Sequence, residues 1–298
     1  MNFLTISILL NVALFVAFKT FNKWRIPVFQ AVVFNYIVCA LMGALFLSPD
    51  NLEILSPLGA SWQYFAIILG FIFIGTFYIL GLTTNAFGIT IATISSKMSL
   101  IIPVVFALFI FKTSIHLFNI WNYLGITLAL AAVILTSIKK PSNYSSWSQR
   151  GIKQALPLAL FLLAGTLDTI INYVNYRYLT IESQVTFIWI IFITAAAIGV
   201  IILLVRWEPI RARSIWGGLY LGVPNFFSMY FIVKALTAFN NDGAVLFPLF
   251  NVGIIIGSTL AAVIIFRERL LSINKIGIIL AVISVIMISY QELIIWLN

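Results

Sequence analysis

Ten long apolar stretches separated by short polar segments follow one another along this chain. An α-helix needs about 20 apolar residues to cross the roughly 30 Å hydrocarbon core of a bilayer, and each stretch has about that length. The stretches are residues 2–19, 27–47, 61–82, 89–111, 119–138, 154–178, 183–205, 215–236, 244–266 and 276–296. Because little sequence remains for a soluble domain, the pattern predicts an all-α polytopic membrane protein with ten transmembrane helices.

The amino-acid composition supports a membrane protein and indicates which binding partners to expect. Hydrophobic residues make up 62% of the chain and charged residues 8%, and the formal net charge is +9. In a soluble protein such a charge would favour nucleic-acid binding. Here the basic residues flank the apolar stretches, where they orient a membrane protein. We therefore expect the lipid bilayer as partner, no nucleic acid, and a multi-pass location in the plasma (inner) membrane.

The second half of the chain weakly repeats the first. A shift of 152 residues aligns the last two stretches of each half without a gap, and matches Asn122 with Asn274 and Gly125 with Gly277. Each half has five stretches, an odd number, so the second half must enter the membrane in the opposite orientation. The expected organisation is a five-helix repeat in residues 1–138, a linker in 139–153 and a second repeat in 154–298. Secondary transporters often use such inverted repeats and bind substrate where the repeats meet, near the midplane.

Two runs resemble a known family. Residues 89–137 contain Pro103 before a short polar turn and Gly125 after it, and residues 244–277 contain Glu268 in the corresponding turn. These runs resemble the two copies of the EamA module of the drug/metabolite transporter superfamily, whose recurrent glutamate in that turn matches Glu268. In the first half the same register places His116 there, a departure from the family pattern. The resemblance implies ten helices around a central cavity, and export of amino acids, other metabolites, drugs or nucleotide sugars.

The basic residues at the ends of the stretches are unevenly distributed. Thirteen lie on the side that follows the odd-numbered stretches, and only Lys112 and Arg177 lie on the other. The positive-inside rule therefore predicts that both termini are extracytoplasmic. The family resemblance implies the opposite orientation, with both termini inside.

Two ionisable residues lie inside apolar stretches, where a charge costs roughly 2.5–3.5 kcal/mol on insertion scales. Lys97 lies in the fourth stretch and Asp168 near the middle of the sixth. The two stretches run in the same direction, and the two depths differ by only about 6 Å on the helix rise. One interpretation is that the two charges pair across a central cavity, where a substrate or a proton competes for the pairing. The alternatives are a snorkelling lysine and a structural ion pair.

Further polar and aromatic residues are weaker candidates for binding substrate or a coupling ion. Asn172 and Asn175 extend a polar stripe from Asp168 at helical spacing. Three other asparagines and two tyrosines lie in apolar stretches: Asn11, Asn225, Asn251, Tyr78 and Tyr230. The asparagines are equally compatible with interhelical hydrogen bonds, and the tyrosines with ordinary aromatic packing.

The chain has no phosphate-binding glycine-rich loop, no acidic pair in one loop placed for glycosidic or metal chemistry, and no nucleophile with a base in register. With one histidine and one cysteine, no catalytic site, metal site or cofactor is expected. The sequence favours a non-enzymatic secondary transporter of a small, amino-acid-like or amphipathic metabolite, with protons as a candidate coupling ion. A lipid or lipid-carrier flippase and a membrane protein without transport activity remain alternatives. We expect a monomer or homodimer, with stretches 5 and 10 meeting through Gly125 and Gly277.

Overall fold

The structure is a computed structural model, which describes residues 2–47, 61–106, 120–137, 155–179, 183–238, 243–288 and 290. The predicted linker, His116, Lys112 and the last eight residues lie outside the described residues. Within the described part the chain is helical and contains no strand. The predicted all-α class is therefore confirmed for these residues.

Each predicted apolar stretch overlaps a helix. The helices are α1 (Asn2–Lys23), α2 (Val28–Phe46), α3 (Ser61–Phe87), α4 (89–106), α5 (Ile120–Ser137), α6 (Leu156–Arg177), α7 (Ser183–Arg206), α8 (Ala212–Ala238), α9 (Gly243–Ile264) and α10 (Ser272–Ile288). Gly88 separates α3 from α4 with a φ of 101°, a conformation that L side chains rarely adopt. The helix ends that lie within the described residues agree with the predicted stretches to within three residues, except that α1 ends four residues later, α3 ends five residues later and α10 begins four residues earlier than predicted.

Five helices are long and apolar enough to cross a membrane: α1, α2, α3, α6 and α7. Apolar segments of 10–17 residues lie within α4, α5, α9 and α10. Helix α8 has 27 residues and carries Pro224 and Asn225 in its middle. These helices identify the chain as a membrane protein, because a soluble fold has no need for so many apolar helices of this length.

Helices of the two halves pack against each other in matching pairs. Helix α1 contacts α8 and α9, while α6, which corresponds to α1, contacts α3 and α4. Helix α2 contacts α8, and α7 contacts α3. Three further pairs join corresponding helices directly: α2 with α7, α4 with α9, and α5 with α10. Each of these contacts between the halves therefore has a counterpart under the shift of 152 residues.

The α5–α10 contact uses the residues that matched most distinctively in the sequence. The Asn122 amide donates to the carbonyl of Ile288 at 2.7 Å, and the Asn274 amide donates to the carbonyl of Leu135 at 3.1 Å. A Cβ at Gly125 would lie 2.9 Å from the Ile288 nitrogen, so the two backbones approach closely there. Asparagines and small residues serve both needs of helix packing in lipid, hydrogen bonding and close approach.

Helices α2 and α8 pack equally closely. A Cβ on Gly218 would overlap Phe34, and one on Gly222 would lie 2.8 Å from the Cβ of Val38. The buried Asn225 amide donates to Asn35 Oδ1 at 3.1 Å. At the end of the same contact, Ser214 Oγ donates to Gln30 Oε1 at 2.7 Å. Polar groups here join two helices and lie largely out of contact with solvent.

Candidate functional site

Helix α4 changes its winding at the predicted site. An α-helix, Ile89–Lys97, is followed by a 3₁₀ turn, Met98–Leu100, and by a second α-helical segment, Ile101–Phe106. Pro103 explains the change, because it has no N–H to donate to the carbonyl of Ser99 four residues earlier. Lys97 and Ser99 therefore flank the start of an irregular turn within an apolar helix, where backbone and side-chain polar groups are tolerated only next to protein or water.

Close packing brings α6 against this turn. A Cβ on Gly165 would overlap the side chain of Ile102, so the α6 backbone lies directly against that side chain. One turn further along α6, Asp168 Oδ2 lies 3.3 Å from Ser99 Oγ, whose hydroxyl is also 2.5 Å from the carbonyl of Ser96 in its own helix. The absence of a side chain at Gly165 thus permits the approach that places the carboxylate beside the 3₁₀ turn.

Lys97 reaches across to a third helix. Its Nζ lies 5.3 Å from the ring centroid of Phe250 on α9, within the range of a cation–π contact. Lys97 is half-buried, and its ammonium interacts electrostatically with the carboxylate of Asp168 without forming a direct ion pair. The direct pairing considered from the sequence is therefore replaced by an arrangement in which Ser99 contacts the carboxylate and an aromatic face contacts the lysine.

The face of α6 that carries Asp168 changes from packed to open along the helix. Phe161 and Ala164 are buried on this face, whereas Asp168 and Asn172 are exposed. Residues four or seven positions apart share a face of an α-helix, so the change in exposure occurs along one surface. Since Ser99 lies against this face, the Asp168 carboxylate is exposed and also contacts α4. The side chain of Asn175 lies outside the described residues.

Helix α4 also carries three buried hydroxyls without a hydrogen-bond partner in the described part of the chain. They belong to Thr90, Thr93 and Ser95. Thr90 and Thr93 lie seven and four residues before Lys97, on the same helix face. A buried hydroxyl without a partner costs roughly 1–3 kcal/mol, so water or a polar ligand is the expected partner. These hydroxyls extend the candidate site from Lys97 toward the start of α4.

The other predicted residues are distributed over the molecule. Asn225 makes the hydrogen bond to α2 described above, in agreement with the interpretation of this asparagine as an interhelical contact. Tyr78 packs edge-on against Phe29 with ring centroids 5.4 Å apart, and Tyr230 packs against Phe46 at 5.3 Å. Asn11 is half-buried in α1, and Asn251 is buried beside Phe250, the residue that contacts Lys97. Asn251 follows Phe250 in α9, but neighbouring residues of a helix point in different directions, so this position does not place its side chain at Lys97.

A second charged contact caps the N-terminus of α4. Glu268, in the turn after α9, forms an ion pair of 3.2 Å with Lys19 at the end of α1. Its Oε1 also accepts the backbone N–H of Ile89 at 3.0 Å, and a Cβ on Gly88 would lie 2.6 Å from the same oxygen. A carboxylate at a helix N-terminus satisfies a free donor and complements the helix dipole. Glu268 thus joins α1, α4 and α9 on one side of the helix bundle.

Three of these contacts were not predicted from the sequence. Ser99 lies near Lys97 among several serines, which could have suggested a polar site. An exposed serine, or one that bonds to its own helix backbone, gives the same sequence pattern, so the contact with Asp168 could not be predicted. Phe250 is one of 26 phenylalanines. Glu268 matched a family position, yet nothing in the sequence indicated that it would contact α4, because the two segments are far apart along the chain.

Comparisons with known proteins locate the fold without assigning an activity. No protein-family model matches the chain. An uncharacterized protein from Haemophilus influenzae is 27% identical over 298 residues, which cover 99% of this chain and 100% of that protein. A crystal structure superposes on 96% of this chain and 98% of its own with a TM-score of 0.56 and 12% sequence identity. The path of the chain therefore has a counterpart in a solved structure over nearly its whole length.

Proposed function

We propose that this protein is a secondary transporter of the EamA type in the drug/metabolite transporter superfamily, with ten transmembrane helices in two inverted repeats. It exports a small amino-acid-like or amphipathic metabolite across the plasma (inner) membrane by alternating access, coupled to protons. The matched contacts between the halves and the reciprocal asparagine bonds of α5 and α10 support the inverted repeat. Inverted repeats supply two alternative packings of similar energy, which alternating access requires.

The observation that carries the proposal is the polar region formed by α4, α6 and α9. An ammonium and a carboxylate lie near each other within apolar helices, and neither forms a direct ion pair with any residue that the structure describes. Uncommitted charges in a membrane protein are expensive, and they mark solute or proton pathways. A zwitterionic solute offers one partner to Lys97 and another to Asp168, while Phe250 provides an apolar surface for its side chain.

Flux measurements in proteoliposomes test the proposal. Proteoliposomes are loaded with labelled amino acids and amphipathic amines. The purified protein should accelerate efflux of at least one of these solutes, and an imposed pH gradient should change the rate of that efflux. Asp168→Asn should abolish the response to the gradient, because it removes the only acidic group described beside the turn in α4. Asn225→Ala serves as the control, since Asn225 binds α2 and not the site. Protein-dependent movement of a fluorescent lipid without any solute flux would instead support the flippase alternative, and no movement of either would contradict both.

A further inference from the structure

A pocket with no role in the proposed transport site opens at the end of α1. It encloses about 500 Å³ and is lined by Lys23, Trp24, Arg25, Ile26, Arg213 and Trp216. Three of these residues are basic and two are tryptophans, and none is acidic. The pocket combines the end of α1, the turn before α2 and the first turn of α8.

Close helix packing forms this pocket. A Cβ on Gly217 would lie 2.9 Å from Ile26, so α8 lies directly against the turn between α1 and α2. Arg25 adopts a φ of 53°, which is uncommon for a residue other than glycine. The Ile26 N–H then donates a hydrogen bond of 2.9 Å to the carbonyl of Phe21, which closes the turn. The turn therefore holds Arg25 and Lys23 on the same side as Arg213.

The three basic side chains carry positive charge without a protein counter-ion. Lys23, Arg25 and Arg213 are exposed and form no salt bridge to any acidic residue in the described part of the chain. The nearby Glu208 is instead 3.9 Å from Arg206 and accepts a bond from Gln30. An anion from outside the protein is the expected partner for three converging cations.

The two tryptophans indicate where that anion lies. Trp24 and Trp216 are exposed at helix ends, and the Trp24 ring lies 5.6 Å from that of Tyr220. Indole rings favour the headgroup level of a bilayer, and basic residues there attract anionic lipids. We propose that this pocket binds the phosphate of an anionic lipid headgroup, with Arg25 and Arg213 contacting its oxygens and the tryptophans lying against the glycerol and upper acyl chains.

The inference rests on the chain being a membrane protein and is independent of the transported solute. It assigns the phosphate to a lipid and not to a soluble metabolite, because the pocket opens at the level where apolar helices end. A soluble phosphate compound would gain nothing from two exposed indole rings beside the charges.

Native mass spectrometry of the delipidated full chain in a neutral detergent tests the proposal. The protein is titrated with phosphatidylglycerol, phosphatidylcholine and glycerol 3-phosphate in separate arms. The pocket variant carries Lys23→Gln, Arg25→Asn and Arg213→Gln, with Asn at position 25 because it tolerates a positive φ. The control variant carries Arg267→Asn, Arg269→Gln and Lys275→Gln, with Asn at position 267 because Arg267 has a φ of 50°. It removes the same charge on the same side, since the Lys19–Glu268 contact places that turn beside the end of α1.

The pocket variant should bind phosphatidylglycerol about a hundredfold more weakly than the wild type, and the control variant should bind it nearly normally. Arg213→Gln alone should weaken binding severalfold, which keeps the test available if the triple variant does not fold. Equal loss in the pocket and control variants would overturn the proposal, because it would indicate attraction by net charge alone. Binding of glycerol 3-phosphate as tight as that of the lipid would also overturn it, and so would unchanged lipid binding by the pocket variants.

Discussion

Two helix contacts in this molecule use polar residues in opposite ways. Between α2 and α8, Asn225 and Ser214 donate to partners on the facing helix, and glycines bring the backbones together. Between α4 and α6, a carboxylate has a single serine contact, and three hydroxyls of α4 have no partner in the described structure. Most polar groups of the first contact bond to the facing helix, although Asn35 Nδ2 is buried there without a partner in the described residues. The second keeps them available, which costs stability and is the usual sign of a functional site.

The largest effect is expected where packing is closest. Gly218→Leu should destabilise the protein by about 3 kcal/mol, because the new side chain has to displace Phe34 and the backbone of α2. Gly75→Leu is the matched control, since no atom lies within 4 Å of a Cβ built there. Thermal melting in detergent measures both variants. Equal melting temperatures would show that α2 and α8 are not in close contact.

The next effect concerns the coupling of the two charges. Lys97→Ala should destabilise the protein because it leaves the carboxylate of Asp168 without a nearby cation. Adding Asp168→Asn should recover about 1–2 kcal/mol of that loss, since removing both charges costs less than retaining one. The melting temperatures of the two single variants and the double variant give the coupling. Additive losses would mean that the two side chains do not interact.

A smaller effect is expected for the polar bond between α2 and α8. Asn225→Ala should cost about 1 kcal/mol, the usual value of an interhelical hydrogen bond in a membrane. Solute flux per folded molecule, measured in the proteoliposome assay, should remain unchanged. A loss of flux at unchanged stability would assign Asn225 to the site and remove the distinction between the two contacts.

The smallest effect on stability is expected for two glutamates, one at the N-terminus of α4 (Glu268) and one on the surface (Glu208). Glu268→Gln should lower stability by about 1 kcal/mol, because it removes the ion pair with Lys19 and the charge at the start of α4. Glu208→Gln should change stability by less than about 0.5 kcal/mol, since its contact with Arg206 is exposed and 3.9 Å long. Chemical denaturation of both variants compares them. Indistinguishable curves would contradict a role for Glu268 in holding α4.

The sequence by itself determined the helical class and the positions of the helices, because about 20 apolar residues in a row have few alternatives to a membrane helix. Asn122 and Asn274 were also visible as a repeated pair, since polar residues in apolar helices are rare enough to be noticed. Lys97 and Asp168 were found for the same reason, from the cost of a charge in lipid.

Only the tertiary structure decided what these residues contact. The approach of Gly165 to Ile102 places Ser99 against Asp168, and the position of α9 places Phe250 beside Lys97. Asn225 and Asn11 look alike in the sequence, yet Asn225 is buried and binds a neighbouring helix, whereas Asn11 is half-buried in α1. Such differences depend on which helices meet, and helix contacts in lipid are set by close packing of small residues far apart along the chain, which apolar patterning does not encode.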